Sequence, residues 1–319
     1  MHIVLLHNPG AGQEDVPPKQ LVEAFAAQGH EAAYHSTKEE SCEQALEDAA
    51  ELVAVAGGDG TVRAVAKCLA GSGRQLMILP CGTANNIATH LGIVTGALET
   101  ISRMVTLRER AFDAGLAEGP WGTEDFFEGV GFGMLPQIIP FLKAEAKGRE
   151  FADRYAKIAH HRGLFAQLLK SYKPATWRLL LDEETVEGDF LLIEILNIGS
   201  VGPWLELAPG ASPGDGKLDV VRVTEKGRKI LAKLLQGEVE ATEAAEHFDV
   251  TRVTRVELEW DGSAAHIDSD IWAVGRHGLG KIKRPSVPLS ARCAFRCAPG
   301  PCACWRPAQQ PVDRDKGAP

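Results

Sequence analysis

The sequence predicts an α/β N-terminal domain built on a parallel sheet, followed by a β-rich, sandwich-like C-terminal domain. Two observations carry this. In the first third, short continuous apolar runs alternate with helix-period segments, and continuous runs suit strands buried on both faces. Past Arg110 the strand-like runs follow one another, several of them alternating in and out as antiparallel strands do. At 319 residues the chain is long enough for two cores. The expected divisions are 1–108, 109–284 and a Pro- and Cys-rich tail over 285–319.

The first strand is His2 to His7, with Ile3, Val4, Leu5 and Leu6 as its apolar run. It stops at Asn8-Pro9-Gly10-Ala11-Gly12, which is good turn chemistry. Pro17 to Gln28 reads as a helix with Leu21, Val22 and Phe25 on one face, and Glu31 to His35 as a second strand. Thr37 follows that strand, at a position that suits a helix cap before Glu39 and Glu40. Lys38 to Ala50 reads as a polar helix with Cys42, Ala45 and Leu46 inward.

The centre of the domain is Leu52 to Ala56 running into Gly57-Gly58-Asp59-Gly60-Thr61. This is a buried strand, a bare glycine loop and a helix whose Val62, Val65, Ala66 and Leu69 share a face. Helix N-termini offer free amides and a positive dipole end, so the place suits phosphate. Asp59 would repel an anion unless it holds a metal ion or accepts a hydrogen bond. A second crossing follows: strand Gln75 to Leu79, then Pro80-Cys81-Gly82-Thr83-Ala84-Asn85 before another helical run. Two such loops imply one cleft at the carboxyl edge of a sheet. Val94 to Val105 closes the domain as an amphipathic helix.

Beyond it, 111–116, Phe126-Phe127, 177–181, 190–196, 218–223, 253–260 and 265–268 read as strands. Leu135 to Ala146 and Phe151 to Leu169 read as helical insertions. His160 and His161 point to different faces of the second, which disfavours a metal pair. Asp261-Gly262 reads as a hairpin turn. The tail carries Cys293, Cys297, Cys302 and Cys304 at spacings unlike common zinc knuckles, and reads as disordered or weakly packed.

The net charge of −9 argues against nucleic acid as the main partner. No run approaches the length of a membrane span, and the N-terminus lacks the flank of a signal peptide, so the expectation is a cytoplasmic protein with reduced thiols and no transmembrane segment.

The two loops together, Gly57 to Thr61 and Pro80 to Asn85, resemble the catalytic domain of the diacylglycerol kinase family, which includes soluble bacterial lipid kinases and sphingosine kinases and is distantly related to NAD kinases. The resemblance implies ATP- and Mg²⁺-dependent phosphorylation of a lipid hydroxyl at a membrane surface, with a peripheral place on the inner face. It implies nucleotide contacts from Asn8, Pro9, Gly10, Ala11, Gly12, Thr37, Gly57, Gly58, Asp59, Gly60, Thr61, Gly82, Thr83 and Asn85. Ala208-Pro209-Gly210-Ala211 and Asp215-Gly216-Lys217-Leu218-Asp219 resemble the family's structural Mg²⁺ segment. There Asp215 would be the side-chain ligand, with carbonyls from Ser212 and Lys217. Relatives end a strand in Asp-Gly-Glu, with the glutamate as general base. This chain has Asp268-Ser269-Asp270, so Asp270 takes that role on a side chain one methylene shorter. Many relatives carry Asn-Glu two residues past the threonine, where this chain has Arg63-Ala64. An NAD kinase-like small-molecule kinase and a non-catalytic nucleotide- or lipid-binding module stay open as rivals. Homo-oligomerisation is left open too.

Overall fold

The computed structural model describes residues 1–12, 16–48, 50–70, 72–119, 121–272 and, as backbone, 291–307. The first domain runs β1 (His2–His7), α1 (Pro18–Ala27), β2 (Glu31–Ser36), α2 (Cys42–Ala45), β3 (Leu52–Gly57), α3 (Asp59–Leu69), β4 (Gln75–Pro80), α4 (Asn86–His90) and α5 (Ala97–Ser102). Its strands are parallel in the order β4-β3-β1-β2. The pleat explains the continuous apolar runs. Ile3 and Leu5 face one side with Leu21 and Phe25 of α1, while Val4 and Leu6 face the other with Val62, Val65 and Leu69 of α3.

The second domain continues with β5 (Leu107–Gly119), β6 (Gly122–Phe126), β7 (Gly129–Gly133), α6 (Met134–Ala146), α7 (Arg154–Leu169), β8 (Ala175–Leu181), β9 (Glu184–Leu196), β10 (Ser200–Val201) and β11 (Leu205–Glu206). Then come β12 (Leu218–Thr224), α8 (Arg228–Gln236), α9 (Ala241–Ala245), β13 (Asp249–Val253), β14 (Arg255–Trp260), β15 (Ala265–Ile267), β16 (Asp270–Trp272) and β17 (Ala291–Pro307). Pairings among β5 to β9 and β12 to β16 are antiparallel. One face of this sheet packs Phe132, Trp177, Ile193, Ile195 and Trp260 into a core. On the other face Leu192, Val221 and Val223 meet Leu135, Phe165 and Leu231 of the helices.

Several elements differ from the sequence reading. The helix expected over 38–50 shrinks to Cys42–Ala45, because Ser41 and Gln44 form a capping box that starts it late. The helix expected over 94–105 is regular only over Ala97–Ser102, and Val94 and Val105 are exposed. The strand expected over 253–260 breaks at Thr254, whose amide and hydroxyl both turn to Asp182. Helix α8 had no counterpart in the reading, although Leu231, Leu234 and Leu235 bury one stripe of it.

Part of the expected tail is a strand. Residues 291–307 form β17, antiparallel to β5 and β14 and parallel to β4. Proline argues against a central strand because it lacks an N–H. Here the register shifts between Ala298 and Cys302, so Pro299 and Pro301 fall in the irregularity. The rest of the expected tail, 285–290 and 308–319, lies outside the described residues.

Candidate active site

The carboxyl ends of β1, β3 and β4 bring the expected nucleotide residues together. The Asn8 amide follows β1 and donates to the Ala56 carbonyl at 2.9 Å, while its side chain donates to Thr61 Oγ1 at 3.1 Å. Asn8 Oδ1 accepts the Gly10 amide at 3.2 Å, which closes the first loop on itself. Gly12 adopts φ +77, and a methyl there would sit 2.1 Å from the Cys81 carbonyl oxygen. That position therefore demands glycine twice, for its backbone and for its contact.

The two glycine loops touch. A methyl on Gly82 would come within 2.4 Å of the Gly58 Cα. Asn85, left-handed at φ +53, folds its side chain back to accept the Gly82 amide and donate to the Gly82 carbonyl, both at 2.8 Å. Asp59 opens α3, and its Oδ1 accepts the Ile87 amide of α4 at 3.0 Å. The aspartate thus holds the two loop-bearing helices together, with its carboxylate at the helix end where negative charge is favoured. Thr37 stands at the end of β2, its amide on the His7 carbonyl at 2.9 Å. The side chain of Lys38, which the sequence reading did not single out, reaches Gly10: a methyl there would lie 2.9 Å from Lys38 Nζ.

The second domain faces this edge with the β15–β16 hairpin. Asp270 is exposed there and lines one open pocket with Gly60, Arg63, Lys67, Phe127 and Asp268. Asp268, left-handed at φ +49, accepts the amides of Glu128 at 2.8 Å and Gly129 at 3.1 Å, and Phe127 at 3.2 Å. Thr83 opens instead onto a larger cleft of about 690 Å³, shared with Asn86, His90, Tyr155, Arg162 and Leu234.

Glu128, which the sequence reading did not single out, lies beside this pocket through Arg63 and Asp268. It is buried, accepts from Arg63 Nη1 at 2.5 Å and Asn86 Nδ2 at 2.8 Å, and lies near Asp268 and Asp59. Burial pushes its carboxyl up to about 7, the two aspartates add to this, and Arg63 and Asn86 oppose it. The available signal was one acid set in the run Phe126-Phe127-Glu128-Gly129 between strands. Below the hairpin His266 and Glu194 form a buried pair at 2.9 Å, and His266 Nδ1 meets the Asp268 carbonyl at 3.1 Å.

The expected metal segment sits apart from these loops in a turn beside β5. The Gly216 amide donates to Asp113 Oδ2 and the Asp113 amide to the Pro213 carbonyl. A bound Mg²⁺ would take the Asp215 carboxylate and the Ser212 and Lys217 carbonyls, the donor chemistry of a hard ion; here the Ser212 carbonyl accepts the Gly214 amide at 2.8 Å and Asp215 Oδ1 accepts the Lys217 amide at 3.0 Å. Asp215 already has a cationic neighbour, Arg252 Nη1 at 3.7 Å. The same arginine reaches Asp219 at 3.3 Å and the Gly210 carbonyl at 2.8 Å. Among the described residues there is no cluster of three or more His, Cys, Asp or Glu side chains fit to hold a metal. No described helix is long and apolar enough to cross a membrane.

A parallel domain with two touching glycine loops, an aspartate between them and an acidic hairpin from an antiparallel domain opposite define a two-domain kinase fold. The family model described as diacylglycerol kinase catalytic domain matches residues 2–117, and the one described as YegS C-terminal NAD kinase beta sandwich-like domain matches 145–285. A probable lipid kinase YegS-like of Pseudomonas aeruginosa is 31% identical over 231 residues, 68% of this chain and 70% of that one. A diacylglycerol kinase of Bacillus subtilis is 27% identical over 231 residues, 68% of this chain and 72% of that one. The chain belongs to the diacylglycerol kinase catalytic-domain family. The fold agrees with the crystal structure of a putative diacylglycerol kinase from Bacillus anthracis, with TM-score 0.67 at 19% identity over 95% of this chain and 94% of that one.

Proposed function

We propose that this chain is an ATP-dependent lipid kinase that phosphorylates a hydroxyl of diacylglycerol or a related lipid. The observation that carries this reading is the pocket shared by Gly60, at the start of α3, and Asp270, at the tip of the opposite domain. In this reading Asn8 to Gly12, Thr37, Gly57 to Thr61, Gly82, Thr83 and Asn85 hold the nucleotide, with the first turn of α3 directed at its phosphates. Asp59 would hold Mg²⁺, an ion that neutralises phosphate charge in transfer. Asp270 takes the proton of the acceptor hydroxyl as its oxygen forms a bond to the γ-phosphorus. The bond from that phosphorus to the bridging oxygen breaks, and ADP carries the electron pair away. Such transfer needs mainly positioning and charge neutralisation. The named relatives, a diacylglycerol kinase and lipid kinases, support a lipid acceptor.

The test is transfer from labelled ATP with Mg²⁺, offered mixed micelles of diacylglycerol or, separately, NAD. Label entering the lipid, and lost in Asp59→Ala and Asp270→Ala, is the expected result. Label entering NAD would replace the lipid acceptor. ATP binding without transfer to either would make the chain a non-catalytic module.

A further inference from the structure

Arg63 follows the glycine loop by two residues, and its guanidinium is spent on the opposite domain. It projects from the first turns of α3 with its side chain 18% exposed. Nη1 donates to Glu128 Oε1 at 2.5 Å, Nη2 donates to Ser269 Oγ at 2.8 Å, and Nε lies 3.5 Å from Asp268 Oδ2. The other oxygen of Glu128 accepts from Asn86, at the start of α4. One connected set therefore ties the two loop-bearing helices to the hairpin that carries Asp270. Ser269 is also held through its carbonyl by Lys143 Nζ of α6 at 3.2 Å.

The chemistry of this set is that of orientation. A guanidinium is a flat fork that fixes the direction of its partners, unlike the point charge of a lysine. Both carboxylates it meets are largely buried, so their bonds to it are short of competing water. Ser269 matters because it is the residue before Asp270. An aspartate reaches less far than a glutamate, and a general base must come to about 3 Å from its proton. The shorter side chain makes the placing of the hairpin against α3 critical, and Arg63 Nη2 lies 3.9 Å from where a methyl on Gly60 would be.

We infer that Arg63 is a positioning residue: through Ser269 and Glu128 it holds the Asp270 hairpin against the start of α3, setting the distance between acceptor base and phosphate loop. This rests on the reading of Asp270 as the base.

The test compares kcat, KM for ATP and amide hydrogen exchange over 265–272 in the wild type, Arg63→Gln, Arg63→Lys, Ser269→Ala and the Arg63→Gln/Ser269→Ala double variant, with diacylglycerol mixed micelles as acceptor. Displacing a reacting group by about 1 Å costs about 100-fold, and loss of an orienting partner about 10- to 100-fold. Arg63→Gln should lower kcat about 10- to 100-fold, change KM for ATP less than about 2-fold, and speed exchange across the hairpin. Arg63→Lys should rescue little, since it keeps the charge but loses the fork. Ser269→Ala, an exposed and mild change, should lower kcat less, and the double variant should be no worse than Arg63→Gln. Effects that multiply, a rise in KM for ATP at unchanged kcat, or hairpin exchange unchanged in Arg63→Gln would each overturn the inference. Asp270→Ala run alongside separates the two claims. Activity surviving there removes the base and this inference with it. Activity lost there but untouched in Arg63→Gln and Ser269→Ala removes the inference alone.

Discussion

Gly82 lies so close to Gly58 that a methyl on it would sit 2.4 Å from the Gly58 Cα and 2.8 Å from Asn85 Oδ1. The obstacle is backbone, which cannot swing aside as a side-chain tip can. Gly82→Ala must therefore part the two loops or break the Asn85 turn. We expect KM for ATP to rise at least about 10-fold, since misplacement by about 1 Å has costs of that order or more. Gly58→Ala should be milder, because its methyl would meet the Gly82 Cα at 3.1 Å. Gly96→Ala serves as control, with open space around it and φ −65. Equal KM values in Gly82→Ala and Gly96→Ala would contradict the contact.

Glu128 gives the stability a pH dependence whose sign follows from burial. Its carboxyl rises from 4.5 to about 7 in the folded chain. Between those values the folded state binds more protons than the unfolded state, so this residue's contribution falls as pH rises. The loss across that window is on the order of 3 kcal/mol. Glu128→Gln carries no such proton. Urea unfolding from pH 4.5 to 8 should show the wild type losing stability relative to Glu128→Gln as pH rises through 7. Parallel curves for the two proteins would refute the shift.

The same residue shows where sequence reading stops. The glycine loops were legible because φ and close approach leave few choices: Gly12 and Gly82 have backbone as their neighbours. The buried strands were legible because both of their faces are covered, as Ile3 and Val4 show from opposite sides of one sheet. Glu128 was not, because its meaning comes from Arg63, Asn86 and Asp268, the last 140 residues away along the chain. Arg63 could be seen only as a departure from the family pattern until its three partners were placed. The strand over 291–307 was hidden by prolines, which a register shift accommodates. For Glu128 and Arg63 the deciding term is a contact distant in sequence, whereas propensity and periodicity are local.

Beneath the hairpin, Gly131 leaves room for a charge pair. A methyl there would lie 2.1 Å from Glu194 Oε1 and 2.2 Å from His266 Nε2, both fully enclosed. Burial, the largest single influence, pulls the His266 pKa down, but the Glu194 carboxylate and Asp268 together leave the imidazole raised; burial raises Glu194 against the pull of His266. His266→Ala strands a buried carboxylate and should cost about 3–5 kcal/mol. Gly131→Ala overpacks the pair and should cost about 1–3 kcal/mol. The urea midpoint measures both. Because His266 also meets the Asp268 carbonyl, His266→Ala should additionally speed amide exchange over 265–272. A His266→Ala midpoint within error of wild type would show that the pair carries no net weight.

Arg252 is the neighbour against which Asp215 can be tested as a Mg²⁺ ligand. A guanidinium 3.7 Å from Asp215 Oδ2 and a divalent ion on the same carboxylate compete for one charge. An ion that binds only the folded state stabilises it by about 2.7 kcal/mol at 100 times its dissociation constant. With Arg252 in place the ion must displace it, so Mg²⁺ should raise the wild-type thermal midpoint little. Arg252→Ala should lower the midpoint without Mg²⁺ and recover much of the loss with it. Asp215→Asn added to Arg252→Ala should remove most of that recovery, since a neutral amide oxygen holds a divalent ion less strongly than a carboxylate does. Thermal scans across a Mg²⁺ titration, with Ca²⁺ as a second ion, distinguish the cases. If Arg252→Ala is no more responsive to Mg²⁺ than the wild type, the segment is a turn held by arginine and not an ion site.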